Sequence, residues 1–376
     1  MSQRLDVQRI ARSESLGRLG LAVAAPVLAI VFAAIVTSVV LLISGNAPIS
    51  AFRSMIDYGT QSASLVAIVN RACGYYLSAV AVAIGFRMNL FNIGVDGQYR
   101  LAAMLAAYVG AQLTLPVPFN FILIIGVAML VGAFWAGIAG LLRVTRGVSE
   151  VISTIMLNFI ATGIVAYLLV PERWAILENN NVKTKALPAN AHMPGFSVSG
   201  GVIFGFVVIA AVVGIGYAVL VNRTRFGFDL RATGQSESAA VASGVNVKKM
   251  VVVTMLLSGA IAGLVGMPQL LGASYSYSLD FPTGLGFTGI AIALLGRNHP
   301  VGIAFAALLW SFLDQSGQIL DLQGIPKEIV TIMQGTIVLS VVIAYELVRR
   351  YGLAQQQRRV GEELGTATVE PQGATT

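Results

Sequence analysis

Charge is scarce in this sequence, and the residues that bind metals or cross-link chains are scarcer. A single cysteine, Cys73, excludes an intramolecular disulfide, a cysteine-only metal site and a CxxC redox pair. The two histidines, His192 and His299, stand far apart, each within two residues of a proline in an expected connection, so no metal site is read from them. No HExxH, GxSxG or GxxxxGK[ST] motif occurs, and no Gly-Lys pair is found anywhere in the chain. The first two absences argue against an intramembrane hydrolase, and the third against a phosphate-binding loop for ATP. Charged residues make up only 11% of the 376 positions, against 56% hydrophobic ones.

What fills the space is a succession of apolar runs, reflected in a mean hydropathy of +0.79. Gly20 to Ile43 contains no ionisable side chain. A bilayer span needs about 20 apolar residues at a rise of about 1.5 Å each, and a lone helix satisfies its own backbone groups in lipid. The expected fold is therefore an all-α polytopic membrane protein. Ten spans are read, at 20–43, 64–86, 97–115, 119–142, 150–170, 202–221, 250–271, 284–296, 300–318 and 327–348, with both termini cytoplasmic. The eighth is short and glycine-bearing, which suits a half-helix. The first run is too long for a signal-peptide core and lacks a clear cleavage site, so it is read as a retained helix.

The division is a basic N-terminus at 1–19, a membrane domain at 20–348 and a disordered cytoplasmic tail at 349–376. Two connections are long: an extracytoplasmic loop at 171–201, rich in Asn and Pro, and a basic cytoplasmic loop at 222–249. The formal charge of +7 is not gathered into a stripe with interleaved aromatics, which argues against nucleic acid. In the ten-span reading 16 of the 24 basic residues fall on the cytoplasmic side and five on the other, so the basic balance reports topology through the positive-inside rule. Small residues recur on the spans, as in Ala136 with Gly140 and Gly259 with Gly263, which allows close helix packing.

Polar groups at membrane depth are costly unless paired or facing a cavity. The densest set is Phe86 to Arg100, between two spans. Asn89 and Asn92 favour non-helical backbone, Gly94 and Gly97 permit positive φ, and Asp96 is placed to cap a helix starting near Gln98. This break reads either as free backbone dipoles facing a solute path or as a tight interfacial turn. A second set, Glu150, Ser153, Thr154 and Asn158, lies roughly along one side of a helix. Asn158 is read as lining a path and Glu150 as structural. Asn70, Arg71, Asp314, Gln315 and Gln334 read equally as helix ties or as ligand contacts.

Within the cytoplasmic loop, Ser236 to Ser243 is expected to form two helical turns, with Ser236 as N-cap, Glu237 at the positive end and Gly244 as the stop. Its alanines present a low-profile surface for a second protein. The stretch Gly227 to Val245, with Gly234 seven residues after Gly227 and Ala239-Ala240 before Gly244, resembles the ATPase-docking loop of ABC-type importer permeases in the ribose, branched-chain amino acid and nucleoside superfamily. The runs FNIGVDGQ (Phe91 to Gln98), EVISTIMLNFI (Glu150 to Ile160) and IAIALLGRNHP (Ile290 to Pro300) resemble signatures of its nucleoside and simple-sugar branch. The resemblance spans roughly Ala67 to Val348. It departs from the family pattern at Asp96, where Glu is expected, at Gln235, where an acid is usual, and at Gly74, where proline is common.

That resemblance implies a permease subunit of an ATP-driven importer for nucleosides or a related sugar-containing solute, in the cytoplasmic (inner) membrane of a bacterium. ATP and Mg would sit on a partner ATPase, with no cofactor on this chain. The implied partners are that ATPase, a second related permease or a second copy, an extracytoplasmic solute-binding protein and membrane lipid. Asn89, Phe91, Asn92, Asp96, Gln98, Ser153, Thr154 and Asn158 are the expected path residues. Arg231, Gly234, Gln235, Glu237, Ala239, Ala240 and Gly244 are the expected coupling residues. The alternative is an ion-coupled secondary transporter, with Asp96, Glu150 or Asp314 as the buried carboxylate.

Overall fold

A computed structural model describes residues 30–113 and 115–367. The described residues divide into two units, one of 30–51 with 325–367 and one of 52–324. In the second unit, helices α3 (Ser62–Phe86), α4 (Val95–Gln112), α5 (Phe119–Arg146), α6 (Glu150–Leu168), α7 (Phe206–Arg223), α10 (Val247–Leu264) and α13 (Pro300–Leu322) supply the bulk. Shorter elements are α8 (Arg225–Gln235), α9 (Glu237–Ala242), α11 (Met267–Gln269), which continues into a π-turn at Leu270–Ser274, and α12 (Leu285–Leu295). Helix α2 (Pro48–Gly59) straddles the boundary, and the first unit holds α1 (Ile30–Ile43) and α14 (Glu328–Ala367).

Among the described residues, six helices are long and apolar enough to cross a membrane, or seven when α1 and α2 count as one bent span. Three of the ten expected spans, among them the eighth, read from its length as a half-helix, do not reach that length and apolarity. Helix α4 has 18 residues but opens on Asp96, Gln98 and Arg100, which lower its apolar character. Helix α12 has 11 residues, about 16 Å at 1.5 Å per residue, half a bilayer. The run expected at 327–348 is the first part of the 40-residue α14, whose apolar portion is Glu328–Ala344. Positions 349–367, expected as a disordered tail, continue that helix.

The fold is not purely α. The connection after α6 forms two antiparallel hairpins, β1 (Ala175–Glu178) with β2 (Asn181–Thr184), and β3 (Gly195–Val198) with β4 (Gly201–Phe204). The first turns through Asn179 and Asn180, both left-handed at φ 49° and 61°, a pair suited to a two-residue hairpin turn. Polar, turn-rich composition marks this stretch as a connection. Strands of four residues leave too short an alternation to be read in advance.

Local signals set the helix ends. Helix α5 ends on Arg143 and Arg146, which favour the negative end of the dipole, and stops at left-handed Gly147. Proline begins α13, where its missing donor costs nothing. Packing centres on α5 against α10. There Gly132, Gly259 and Gly263 approach the facing backbone so closely that a Cβ at any of them would strike a carbonyl of the other helix. Helix α3 lies among α10, α12 and α13, and its inner face is the most buried stretch of the core. One end of α3 meets the β3–β4 hairpin, where the Asn70 amide donates to the Val202 carbonyl (2.8 Å) and accepts from Phe204 N–H (3.0 Å). Its other end runs into the break at 87–94.

Candidate functional site

The break begins where α3 stops at Phe86. The turn is made by Asn89, which takes the left-handed conformation at φ 55°, while Gly94 sits at φ −77° as the residue before α4. The positive φ expected at Gly94 and Gly97 is therefore absent. Asn89 does that work instead, since asparagine tolerates this region better than other side chains. Gly97 is needed for closeness: a Cβ there would press on the Asn158 backbone.

Asn92 of the break and one side chain from each of three helices, Gln98, Asn158 and Ser258, close over it. The Asn92 amide donates to Gln98 Oε1 (3.0 Å) and to Ser258 Oγ (2.8 Å), and its oxygen accepts from Gln98 Nε2 (2.8 Å) and Gly94 N–H (3.1 Å). That uses both donors and both lone pairs of one buried amide. The Ser258 hydroxyl donates to the Ala81 carbonyl at 2.6 Å. Asn158 accepts from Gly97 N–H (2.8 Å) and donates to the Ile93 carbonyl (2.9 Å), replacing helix bonds that the break gives up. Asn92, Gln98 and Asn158, expected along a solute path, are brought together with Ser258 as a closed knot joining α3, α4, α6 and α10.

The other expected path residues lie at its edge. Ser153 and Thr154 are buried and bond back to the Ser149 and Glu150 carbonyls at 3.0 and 2.7 Å. Phe91 is half-exposed, its ring tilted against Phe86 at 5.1 Å. Glu150 is buried, pairs with Arg143 and accepts from Phe91 N–H at 3.4 Å, so it fastens the break to α5 and α6. Ser258 was not among the expected residues. Its signal was a hydroxyl one turn after Thr254 in the apolar run of α10.

Asp96 does not cap its own helix. Its carboxylate accepts from Gly284 N–H (2.8 Å) and Gly286 N–H (3.4 Å), the exposed donors at the start of α12. This places a buried negative group on the positive end of a half-length helix, a favourable pairing of up to about 2 kcal/mol in such geometry. Tyr99 donates to the Pro282 carbonyl at 2.8 Å and Ser78 to the Leu285 carbonyl at 2.7 Å, so the non-helical stretch leading into α12 is held by α3 and α4. At the far end of α12, Arg87 and Tyr217 both donate to the Asn298 carbonyl at 2.7 Å. The correction has a simple cause: the partners lie 188 and 190 residues away, beyond any local pattern.

The segment between α7 and α10 seats directly on this break. Asn89 donates to the Gly234 carbonyl at 2.7 Å, and a Cβ on Gly234 would collide with the Arg87 carbonyl. Beside that contact, Leu230 of α8 packs with Met88 and Leu90 of the break and with Met250 and Val251 of α10. Arg231 donates to the Val221 carbonyl, tying α8 back to α7. Gln235 ends α8, and Ser236 caps α9 by accepting from Ala239 N–H at 3.3 Å. The chain leaves α9 through Gly244 at φ 84°. Glu237, Ala239 and Val241 are exposed, whereas Ala240 is buried, so only part of the expected alanine surface faces outward.

Long apolar helices, a half-length helix whose buried N-terminus is held by a carboxylate, and a short helix seated between two spans define a multi-pass membrane transport protein. The family profile described as "Branched-chain amino acid transport system / permease component" matches residues 64–342, so the chain belongs to that family of permeases. It is 31% identical over 335 residues to the nucleoside ABC transporter permease protein NupB of Lactococcus lactis subsp. cremoris, covering 85% of this chain and 90% of the relative. It is also 31% identical to the guanosine ABC transporter permease protein NupP of Bacillus subtilis, covering 86% of this chain and 93% of the relative. The same identity relates it to the glucose ABC transporter permease protein TsgB13 of Haloferax volcanii, covering 90% and 92%. The chain is thus the permease component of an ABC transporter, a non-catalytic transport subunit, and that role implies an ATPase and a solute-binding protein as partners.

Proposed function

We propose that this chain imports a neutral, sugar-containing solute, with nucleosides as the leading class, and that the cytoplasmic ATPase drives it through α8 and α9. The observation carrying this reading is the junction of Asn89 with Gly234 beside the Leu230 cluster. A push on α9 is delivered to the break between α3 and α4, and through Asp96 and Arg87 to both ends of α12. The loop of 171–204 then faces the outside and receives the binding protein. ATP and Mg reside on the ATPase, consistent with the missing phosphate loop. The second permease is a related chain or a second copy, and the membrane is the bacterial cytoplasmic one.

Within this mechanism Asn89, Phe91, Asn92, Asp96, Gln98, Ser153, Thr154 and Asn158 act as the hinge of the path, opening to the solute only when the break moves. The coupling set is Arg231, Gly234, Gln235, Glu237, Ala239, Ala240 and Gly244. The carboxylates that an ion-coupled carrier would use are already engaged: Asp96 with α12, Glu150 with Arg143 and Asp314 with Arg71. That favours the ATP-driven reading.

The test is the full complex of permease, ATPase and binding protein in proteoliposomes. ATP inside the compartment corresponding to the cytoplasm should drive guanosine or glucose uptake, and the same solute should raise ATP hydrolysis. Uptake that ignores ATP and follows an ion gradient would overturn the proposal.

A further inference from the structure

Helix α4 carries two cavities one turn apart on a single face. Leu101 and Leu105 line the first, Tyr108 and Gln112 the second. These four recur at i, i+4, i+7 and i+11, so they form one stripe along the helix. The first cavity, of about 430 Å³, is completed by Leu130 and Phe134 of α5 and Ile164 of α6, and its walls are apolar throughout. Leu130 and Phe134 are 71% and 67% exposed, a surface suited to acyl chains. The second cavity, of about 180 Å³, lies toward the β1–β2 hairpin and is polar: Arg173, Trp174 and Lys185 join Tyr108 and Gln112 around it.

The two cations of the second cavity are free to take an anion. The Arg173 guanidinium lies over the Tyr167 ring, 3.5 Å from its centroid, which engages its face and leaves the N–H donors along its edge. Glu178, the carboxylate of the hairpin, is held by Lys183 at 3.1 Å, and Glu172 does not line the cavity. No carboxylate among the described residues therefore offsets Arg173 or Lys185 within ion-pair distance. Trp174 stacks on Tyr108 at 3.9 Å, and such aromatic side chains settle at the boundary of lipid and water. From Leu101 to Gln112 the helix rises about 16 Å at 1.5 Å per residue, close to one leaflet of a hydrocarbon core about 30 Å thick.

We infer that this stripe binds one anionic phospholipid, with an acyl chain in the groove of α4, α5 and α6 and its phosphate between Arg173 and Lys185. The lipid belongs to the leaflet on the hairpin side, which is the outer one and in this respect rests on the function proposed above. An apolar groove one leaflet deep that ends in two uncompensated cations matches a molecule with an apolar tail and a negative head, and basic pockets beside spans take anionic head groups. A neutral nucleoside or hexose needs neither feature. Bound there, the lipid braces α4 against α6, the two helices already joined near their other ends by Gly97 and Asn158.

The experiment is native mass spectrometry of the complete complex, titrated in detergent with phosphatidylglycerol or with phosphatidylcholine of the same acyl chains. Phosphatidylglycerol should bind at least ~10-fold more tightly, since two basic groups face its net charge. Arg173→Gln combined with Lys185→Gln should lower that affinity roughly 10-fold and leave phosphatidylcholine nearly unchanged. Both side chains are exposed, so the fold should survive the double change. Leu105→Trp, which fills the groove, should weaken both lipids. Equal affinity for the two lipids, an unchanged affinity in the double variant, or full competition by glycerol phosphate, which has the head without the chain, would overturn the inference. Loss of the contact between permeases in Leu105→Trp would also overturn it, by marking the groove as a subunit interface. The titration uses neither ATP nor solute, so failure of the importer reading shows separately, as absence of ATP-driven uptake by the wild-type complex.

Discussion

Two polar clusters lie within the helical bundle, and they differ in how far they are exposed. In the knot of Asn92, Gln98, Asn158 and Ser258, every amide of Asn92 is used and the two central side chains are buried to 1% or less. In the Arg71, Tyr75 and Asp314 cluster the charges are about a third open and loosely spaced. A saturated, dry network rigidifies and punishes deletion, whereas an open one can exchange partners with water or solute. The first has the character of a hinge pin and the second that of a partly solvated ion pair.

Breaking the knot gives the largest effect. Asn92→Leu strands Gln98 and the Gly94 N–H, while Ser258 keeps its bond to Ala81, and each unsatisfied buried group costs about 1–3 kcal/mol. The purified chain should unfold at a markedly lower denaturant concentration or temperature in detergent. Asn158→Ala removes the partners of Gly97 N–H and the Ile93 carbonyl, and should cost about 2 kcal/mol in the same assay. Asp314→Asn, at the open cluster, should cost less than about 1 kcal/mol, because a partly solvated pair contributes little. A loss there equal to that of Asn92→Leu would erase the distinction between the clusters.

Gly234→Val sharpens the comparison from the coupling side. Its side chain meets the Arg87 carbonyl, lifting α8 from the break. Solute-stimulated ATP hydrolysis should fall roughly 10-fold, equivalent to about 1.4 kcal/mol of coupling, while unstimulated hydrolysis persists. Asp96→Asn is a milder change: it keeps an acceptor for Gly284 and Gly286 and loses the charge that faces both the α12 dipole and the Arg100 guanidinium at 4.0 Å, about 1 kcal/mol together. It should lower the melting temperature less than either change to the knot.

What was legible in the sequence follows the range of the interactions. Ser236 as N-cap and Gly244 as stop could be read directly, because capping involves residues within one turn. The long apolar runs of α3, α5, α6, α7, α10 and α13 were equally plain. Asp96 was misread because its partners are set by tertiary packing. The hairpins of 175–204 were missed because four-residue strands carry little pattern. Asn92, Gln98 and Asn158 were recognised as important from their placement among apolar residues, but their mutual saturation and the part played by Ser258 needed the fold.

The central claim is that α9 receives the ATPase and passes its motion to the break. Val241 is exposed on α9 and points away from the bundle, so Val241→Cys in a Cys73→Ser background is the direct probe. In the assembled complex it should cross-link to the ATPase subunit and react with a membrane-impermeant maleimide only from the cytoplasmic side. Labelling from the outside, or no cross-link to any nucleotide-hydrolysing subunit, would contradict the account.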